Sequence, residues 1–217
     1  MSTKLHAKDA QLGVMSLATA DGSGDTLEAA YYQIVTIGDD SVTALPTALS
    51  AGYFCRGDTT ITLAVGDSVQ KVTLNQLCTA TEATVSYTKD TDEDTSQCDT
   101  AKSYAESEFS DIDVSVNAYN SQDDDYLLDL ENHFVEIIEH TSTGGVTLNA
   151  IQTDTVWLIA KENNTSTSGQ IEKVAFIPLA LSEVGKTLNL ISGPQEFNLT
   201  AKGKGSELPQ IYYRHIA

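Results

Sequence analysis

Residues 109 to 134, "FSDIDVSVNAYNSQDDDYLLDLENHF", change their period halfway, and that change limits what the chain can become. From Asp111 to Tyr119 polar and apolar residues alternate singly. Ile112, Val114, Val116 and Ala118 fall on one side, Asp111, Asp113, Ser115 and Asn117 on the other. Successive side chains of a strand point to opposite faces, so the pattern predicts one face in a core and one in water. From Asp123 onward apolar residues return every three or four positions: Leu127, Leu130, Phe134 and Ile137/Ile138, widened by Leu128 and Val135. That spacing predicts an amphipathic helix over about 123–141. Asp123, Asp124 and Asp125 fall at its start, where free N–H groups and the positive dipole end favour carboxylates. "STGG" after His140 supplies its stop.

The rest of the chain is β-type. "YYQIVTI", "TTITLAV", "QKVTLNQL", "ATVSYT", "GVTLNAI", "TVWLIA", "IEKVAFIPL", "KTLNLI" and "QEFNLTAKG" read as strands, with Gly-Asp pairs at 38–39, 57–58 and 66–67 marking turns. The expected fold is mainly β: a β-sandwich or barrel of about ten strands, flanked by the one helix. Residues 1–30, with small residues and "DGSGD", read as an N-terminal arm; 31–217 reads as a single domain, with a long acidic loop at 89–108. A chain of 217 residues suffices for one full core. No apolar run approaches the ~18 residues of a membrane-spanning helix, and the N-terminus lacks the apolar stretch of a secretory signal, so no membrane partner is expected.

Charge narrows the function classes. Twelve Lys and Arg face 31 Asp and Glu, a formal net charge of −19, which repels polyanions and argues against tight nucleic-acid binding. The imbalance is local. Fourteen acids and one base, Lys102, lie between Asp90 and Glu131, whereas Lys161 to the C-terminus holds six bases and five acids. Such asymmetry suits head-to-tail contacts between copies, and equally suits solvated acidic loops.

The sequence carries few motifs of chemistry. "DTDED" (Asp90, Asp92, Glu93, Asp94) offers carboxylates for a hard cation, but the calcium-loop pattern needs Gly at position six and Glu at twelve, where Thr95 and Ala101 stand. His133, Glu136 and His140 would share one helix face without the zinc-protease spacing. "VGKT" (Val184–Thr187) lacks the leading Gly of a phosphate loop, since position 180 is Ala180, and reads as strand. "RGD" (Arg56, Gly57, Asp58) reads as a Gly-Asp turn. Cys55, Cys78 and Cys98 are odd in number, without metal spacing, and read as free thiols. There is no Gly-x-Ser-x-Gly elbow, and no acid/base pair stands out among the carboxylates. No catalytic residue, metal site or cofactor is expected, and the chain does not read as an enzyme.

Three stretches carry a family resemblance. "TATEATVSYTKDTDEDTSQ" is a strand ending in Val-x-x-Thr before a polar loop. "SDIDVSVNAYNSQDDDYLLDLENHFVEI" is a strand, a short acidic link and a helix. "EKVAFIPLALSEVGKTLNLISGPQEFNLTAKGKG" closes with strands around a Gly-containing turn. Together, from Thr79 to Gly205 with gaps, they resemble the tail tube (major tail) proteins of long-tailed bacteriophages, apart from a longer, more acidic loop that contains Cys98. The resemblance implies a β-sandwich flanked by a helix, homo-hexameric rings that stack into a hollow tube, and a place in the virion tail after assembly in the host cytoplasm. Partners would be other copies, the tail's terminator, tape-measure and distal proteins, and viral DNA in transit. Asp111 and Asp113, with Ser115 and Asn117, are then expected to line the bore, where carboxylates keep phosphates from sticking. The acids Asp90, Asp92, Glu93 and Asp94 are expected to meet Lys202, Lys204 or Arg214 of the next ring. Two other readings stand beside this one: a β-sandwich adhesin or carbohydrate-binding module, for which Trp157 in "TVWLIA" looks too buried to form a platform, and a tube subunit of a phage-like secretion or injection machine.

Overall fold

A computed structural model describes residues 10–38, 45–46, 48–77, 80–93, 104–119, 125–162, 171–187, 195–204, 207 and 209–215. Along the chain the elements are β1 (Gln11–Asp21), β2 (Tyr31–Thr36), β3 (Phe54–Arg56), β4 (Ser68–Gln76), β5 (Ala80–Glu93), β6 (Tyr104–Tyr119) and α1 (Asp125–Glu131). There follow β7 (Ile137–His140), β8 (Val146–Asn149), β9 (Val156–Lys161), β10 (Ile171–Thr187), β11 (Glu196–Gly203) and β12 (Gln210–His215). Among the described residues ten strands hydrogen-bond in the order β3-β2-β4-β1-β9-β10-β11-β6-β5, with β12 also on β10, while β7 and β8 pair only with each other. Among the described residues the fold is therefore mainly β with one short helix, and the sheet is not closed into a barrel.

By internal contacts the chain divides into two compact units. The first comprises Met1–Leu77, Val156–Ile177 and Leu208–Ala217; the second comprises Cys78–Thr155 and Pro178–Glu207. In the first unit the central strands read as unbroken apolar runs. Val156, Trp157, Leu158 and Ile159 of β9 are all buried, as are Val174, Ala175, Phe176 and Ile177 of β10. A strand covered on both faces needs no alternation, which is why these segments lack it. One cluster gathers Met15, Phe54, Trp157, Ile159, Val174 and Phe176; the other gathers Leu27, Tyr32, Ile34, Leu45, Cys55, Leu63 and Val69. Phe54 stacks on Phe176 with centroids 4.0 Å apart and planes 4° from parallel, and Trp157 meets Phe54 edge-on at 5.2 Å. Aromatic contacts of this kind add about 0.5–1.5 kcal/mol each beyond the area they bury.

Within the second unit β6 sits between β11 and β5. Its alternation is as the period of two requires: Ile112, Val114, Val116 and Ala118 are buried, and Asp111, Asp113, Ser115 and Asn117 are exposed. β11 repeats the pattern, with Phe197, Leu199 and Ala201 buried and Glu196, Asn198, Thr200 and Lys202 exposed. Leu127 and Leu130 of α1 are buried too, and Glu131 at its end pairs with Lys186 of β10. Lys186 stands opposite Phe197 in the ladder, on the apolar side of the sheet, so the end of the helix lies on that side.

Four expectations need correction. The helix spans Asp125–Glu131 rather than 123–141, and Ile137–His140 form strand β7 instead. Apolar residues at 134, 135, 137 and 138 satisfy a helical stripe, but "FVEII" is rich in β-branched and aromatic residues, and Ile137–His140 pair with Val146–Asn149 across a turn in which Gly144 takes φ 87°. Asp123 and Asp124 lie outside the described residues. Residues 11–21, assigned to an arm, form β1 and pair with β4 on one side and β9 on the other. The small residues there serve a close approach: a Cβ on Gly13 would lie 2.4 Å from the carbonyl oxygen of Asn75. Much of the supposed acidic loop is ladder, since β5 reaches Glu93 and pairs it with Tyr104. "TTITLAV" is no strand; Thr62 makes only an isolated bridge to Thr26.

Candidate functional site

The second unit carries a broad polar face. Ladder registers align Glu82, Asn117 and Asn198 in one row, Thr84, Ser115 and Thr200 in the next, and Ser86, Asp113 and Lys202 in a third; Thr88 stands opposite Asp111. Residues directly opposite in an antiparallel pair share a face, so these rows form one surface, to which Glu183 opposite Thr200 and Glu196 opposite Tyr119 also belong. The four residues expected in a bore thus lie together on this face. Among the described residues hydroxyls and amides dominate it, with five carboxylates (Glu82, Asp111, Asp113, Glu183, Glu196) and one ammonium, that of Lys202. Lys202 Nζ lies 3.2 Å from Asp113 Oδ1, a solvent-exposed pair. Exposed pairs contribute about 0–1 kcal/mol, so the bridge tempers the acidic wall without fixing it.

The cations expected to reach a neighbouring ring are engaged within their own chain. Lys202 pairs with Asp113, Lys204 Nζ donates to the Thr155 hydroxyl, and Arg214 Nε donates to Glu172. Of the acids opposite them in that scheme, Asp90, Asp92 and Glu93 lie along β5, and Asp94 falls outside the described residues.

A second constellation, unmarked by any motif, lies in the first unit. Glu172 of β10 is buried, its side chain 6% exposed, and three cations converge on it: Arg214 through its Nε hydrogen bond, Lys161 Nζ at 3.6 Å and Arg56 Nη1 at 3.9 Å. The Arg56 guanidinium also lies over the Tyr31 ring, 5.0 Å from its centroid. Burial raises the Glu172 carboxyl, but the hydrogen bond from Arg214, the Tyr31 hydroxyl and the charge of Arg56 outweigh it and hold the group below its ordinary value. Burial, then the facing Glu172 carboxylate, push the Tyr31 phenol well up. That buried hydroxyl is close enough to feel the carboxylate but makes no well-formed hydrogen bond. Sequence could not have found this site. Its members come from β3, β9, β10 and β12, and only strand register brings Glu172 opposite Arg214.

Other expected constellations dissolve. His133 and Glu136 follow the end of the helix and His140 ends β7, so the three do not share a helical face. His133 Nε2 instead lies 4.0 Å from Asp154 Oδ1. Val184–Thr187 is strand, as its sequence suggests, and Gly57-Asp58 turns the chain, with Asp58 Oδ1 accepting the Thr60 N–H at 2.8 Å. Trp157 is buried. Among the described residues no three His, Cys, Asp or Glu side chains cluster as metal ligands, and no helix is long and apolar enough to cross a membrane. No protein-family model and no curated protein matches the chain.

Proposed function

We propose that this chain is a structural subunit of a bacteriophage tail tube, a brick that assembles as hexameric rings, stacks into a hollow conduit and lets viral DNA pass without holding it. The observation that supports this reading best is the polar face of β5, β6 and β11, where Asp111, Asp113, Ser115 and Asn117 stand exposed together among hydroxyls and further carboxylates. A conduit for DNA must not bind its cargo. Each Lys or Arg that neutralises a phosphate releases counterions and strengthens attachment, whereas a neutral-to-acidic wall offers no such gain. Among the described residues β5 ends the sheet order with β6 as its one strand partner, and an open edge is a template for pairing with another chain. Joining that edge to a neighbouring copy would extend the polar face around a ring.

Negative-stain microscopy of concentrated protein tests the proposal directly. Six-fold rings or tubes are the expected result, with the 111–117 face inside; a monodisperse monomer at all concentrations, or a bore lined by Lys and Arg, sinks it. The adhesin or carbohydrate-module reading gains less support. Tyr87 and Tyr119, both exposed, stand on opposite faces of the same ladder, and the sole Trp is buried, so they make no platform. A tube subunit of an injection machine shares the same physics and differs by the genes that accompany it.

A further inference from the structure

Where β12 approaches β3 in the first unit, the strands do not pair. The side-chain amide of Gln210 spans the opening instead: its Oε1 accepts the Phe54 N–H at 3.0 Å and its Nε2 donates to the Gly52 carbonyl at 2.9 Å. Beside this amide lies a cleft of about 570 Å³, bounded by Leu49, Tyr53, Phe54, Phe176, Ile211 and Tyr212, and Arg56 also lines it. A volume of a few hundred Å³ with mostly apolar walls and one placed charged group is the make-up of a small-molecule site. Arg56 is also one of three cations sharing the single carboxylate of Glu172, so that cluster carries two more positive than negative charges among the described residues. Among the described residues the guanidinium has donors to spare: Nη2 donates to the Ala29 carbonyl at 3.3 Å, and Nη1 stands 3.9 Å from Glu172, beyond hydrogen-bond reach.

Going beyond the tube reading, we propose that this cleft binds an apolar carboxylate, a medium-chain or aromatic acid, with its hydrocarbon body between Leu49, Tyr53 and Tyr212 and its carboxylate on Arg56. The two halves of the ligand answer two independent features. Apolar walls reward any hydrocarbon, and the surplus positive charge selects an anion from a protein whose net charge of −19 otherwise repels one.

Trp157, the chain's only tryptophan, reports on the site because it packs against Phe54, which lines the cleft. Octanoate and neutral 1-octanol are titrated against the full chain while its emission is followed. Expected are a saturable change with octanoate and at least roughly tenfold weaker binding of octanol, the scale of one charge-assisted hydrogen bond. Arg56→Gln should weaken octanoate by a similar factor and leave octanol unchanged. Ile211→Glu, at a half-exposed rim position, should weaken octanoate more than octanol, narrowing the preference for the acid, and serves if the Arg56 variant fails to fold. A response that never saturates, equal affinity for acid and alcohol, or an octanoate preference that survives both substitutions overturns the proposal.

Discussion

Arg214 on β12 donates its Nε–H to the buried carboxylate of Glu172 on β10, directly opposite it in the antiparallel register. The bond joins the last described strand to the centre of the first unit, and Lys161 and Arg56 close on the same carboxylate. Replacing Glu172 with Gln would leave three cations facing one another around a neutral amide. Removing one partner of a buried ion pair costs about 3–5 kcal/mol, and Glu172→Gln should lower unfolding free energy on that scale in urea denaturation. An unchanged midpoint would show that water screens the cluster.

The same pair sets an acid dependence. Glu172 titrates below its ordinary value of 4.5 in the folded chain, so ionised Glu172 favours the folded state. Its contribution is complete above the unfolded value and disappears as pH falls through the depressed folded value. The gap in Tm between the parent and Glu172→Gln should therefore be widest near neutrality and narrow below about pH 4.5. A gap that stays constant from pH 7 to pH 3 would contradict the assignment.

Gln210 provides a sharper structural test, because its amide both accepts and donates. Gln210→Ala should cost about 1 kcal/mol, chiefly through the Phe54 N–H, since Gly52 is exposed and its carbonyl can turn to water. Gln210→Glu keeps the acceptor but turns a carboxylate toward that carbonyl, and should be at least as costly at pH 7. Chemical denaturation of the two variants side by side distinguishes the geometry; a Glu variant as stable as the parent would refute it.

Cationic substitution tests the polar face. Asp111→Lys combined with Asp113→Lys changes exposed side chains only, so the fold should survive while the formal charge of the face rises by four units. DNA retention by the double variant should increase and fall steeply with added salt, and the parent should show neither behaviour. Filter binding across a salt series reads both.

Cys55 gives a check on the core. Burial raises its thiol to about 11, so little reactive thiolate exists at pH 8. Iodoacetamide treatment followed by peptide mapping should leave Cys55 unmodified in the native chain and label it in urea.

How much of this was legible depends on whether a signal was local. The alternation in β6 predicted its wet and dry faces residue by residue, because strand period and burial are the same statement there. A helix beginning within the Asp123–Asp125 run, and the burial of Leu127 and Leu130 on its apolar stripe, were equally readable. The helix end was not. Ile137 and Ile138 extend the helical stripe but also suit a strand, and pairing of Ile137–His140 with Val146–Asn149 across the turn decided between them. β1 was hidden for the opposite reason: Gly13 looks like a loop residue until Asn75 stands against it. β12 and the ring of cations on Glu172 required long-range register, and no spacing along the chain encodes that. Of the polar face, β5, β6 and β11 were each readable as strands; the register that aligns their residues into rows was not.

Along β6 every step of one residue reverses the side on which the next side chain emerges. Natural variation in this segment should thus be free in kind and fixed in number. Exchanges such as Ser for Thr at 115 leave the partition intact, whereas losing or gaining one amino acid between Asp111 and Ala118 would drive carboxylates inward and valines into water. Length polymorphism should accordingly be missing from this stretch in any related chain that keeps the same architecture, however far its composition has drifted.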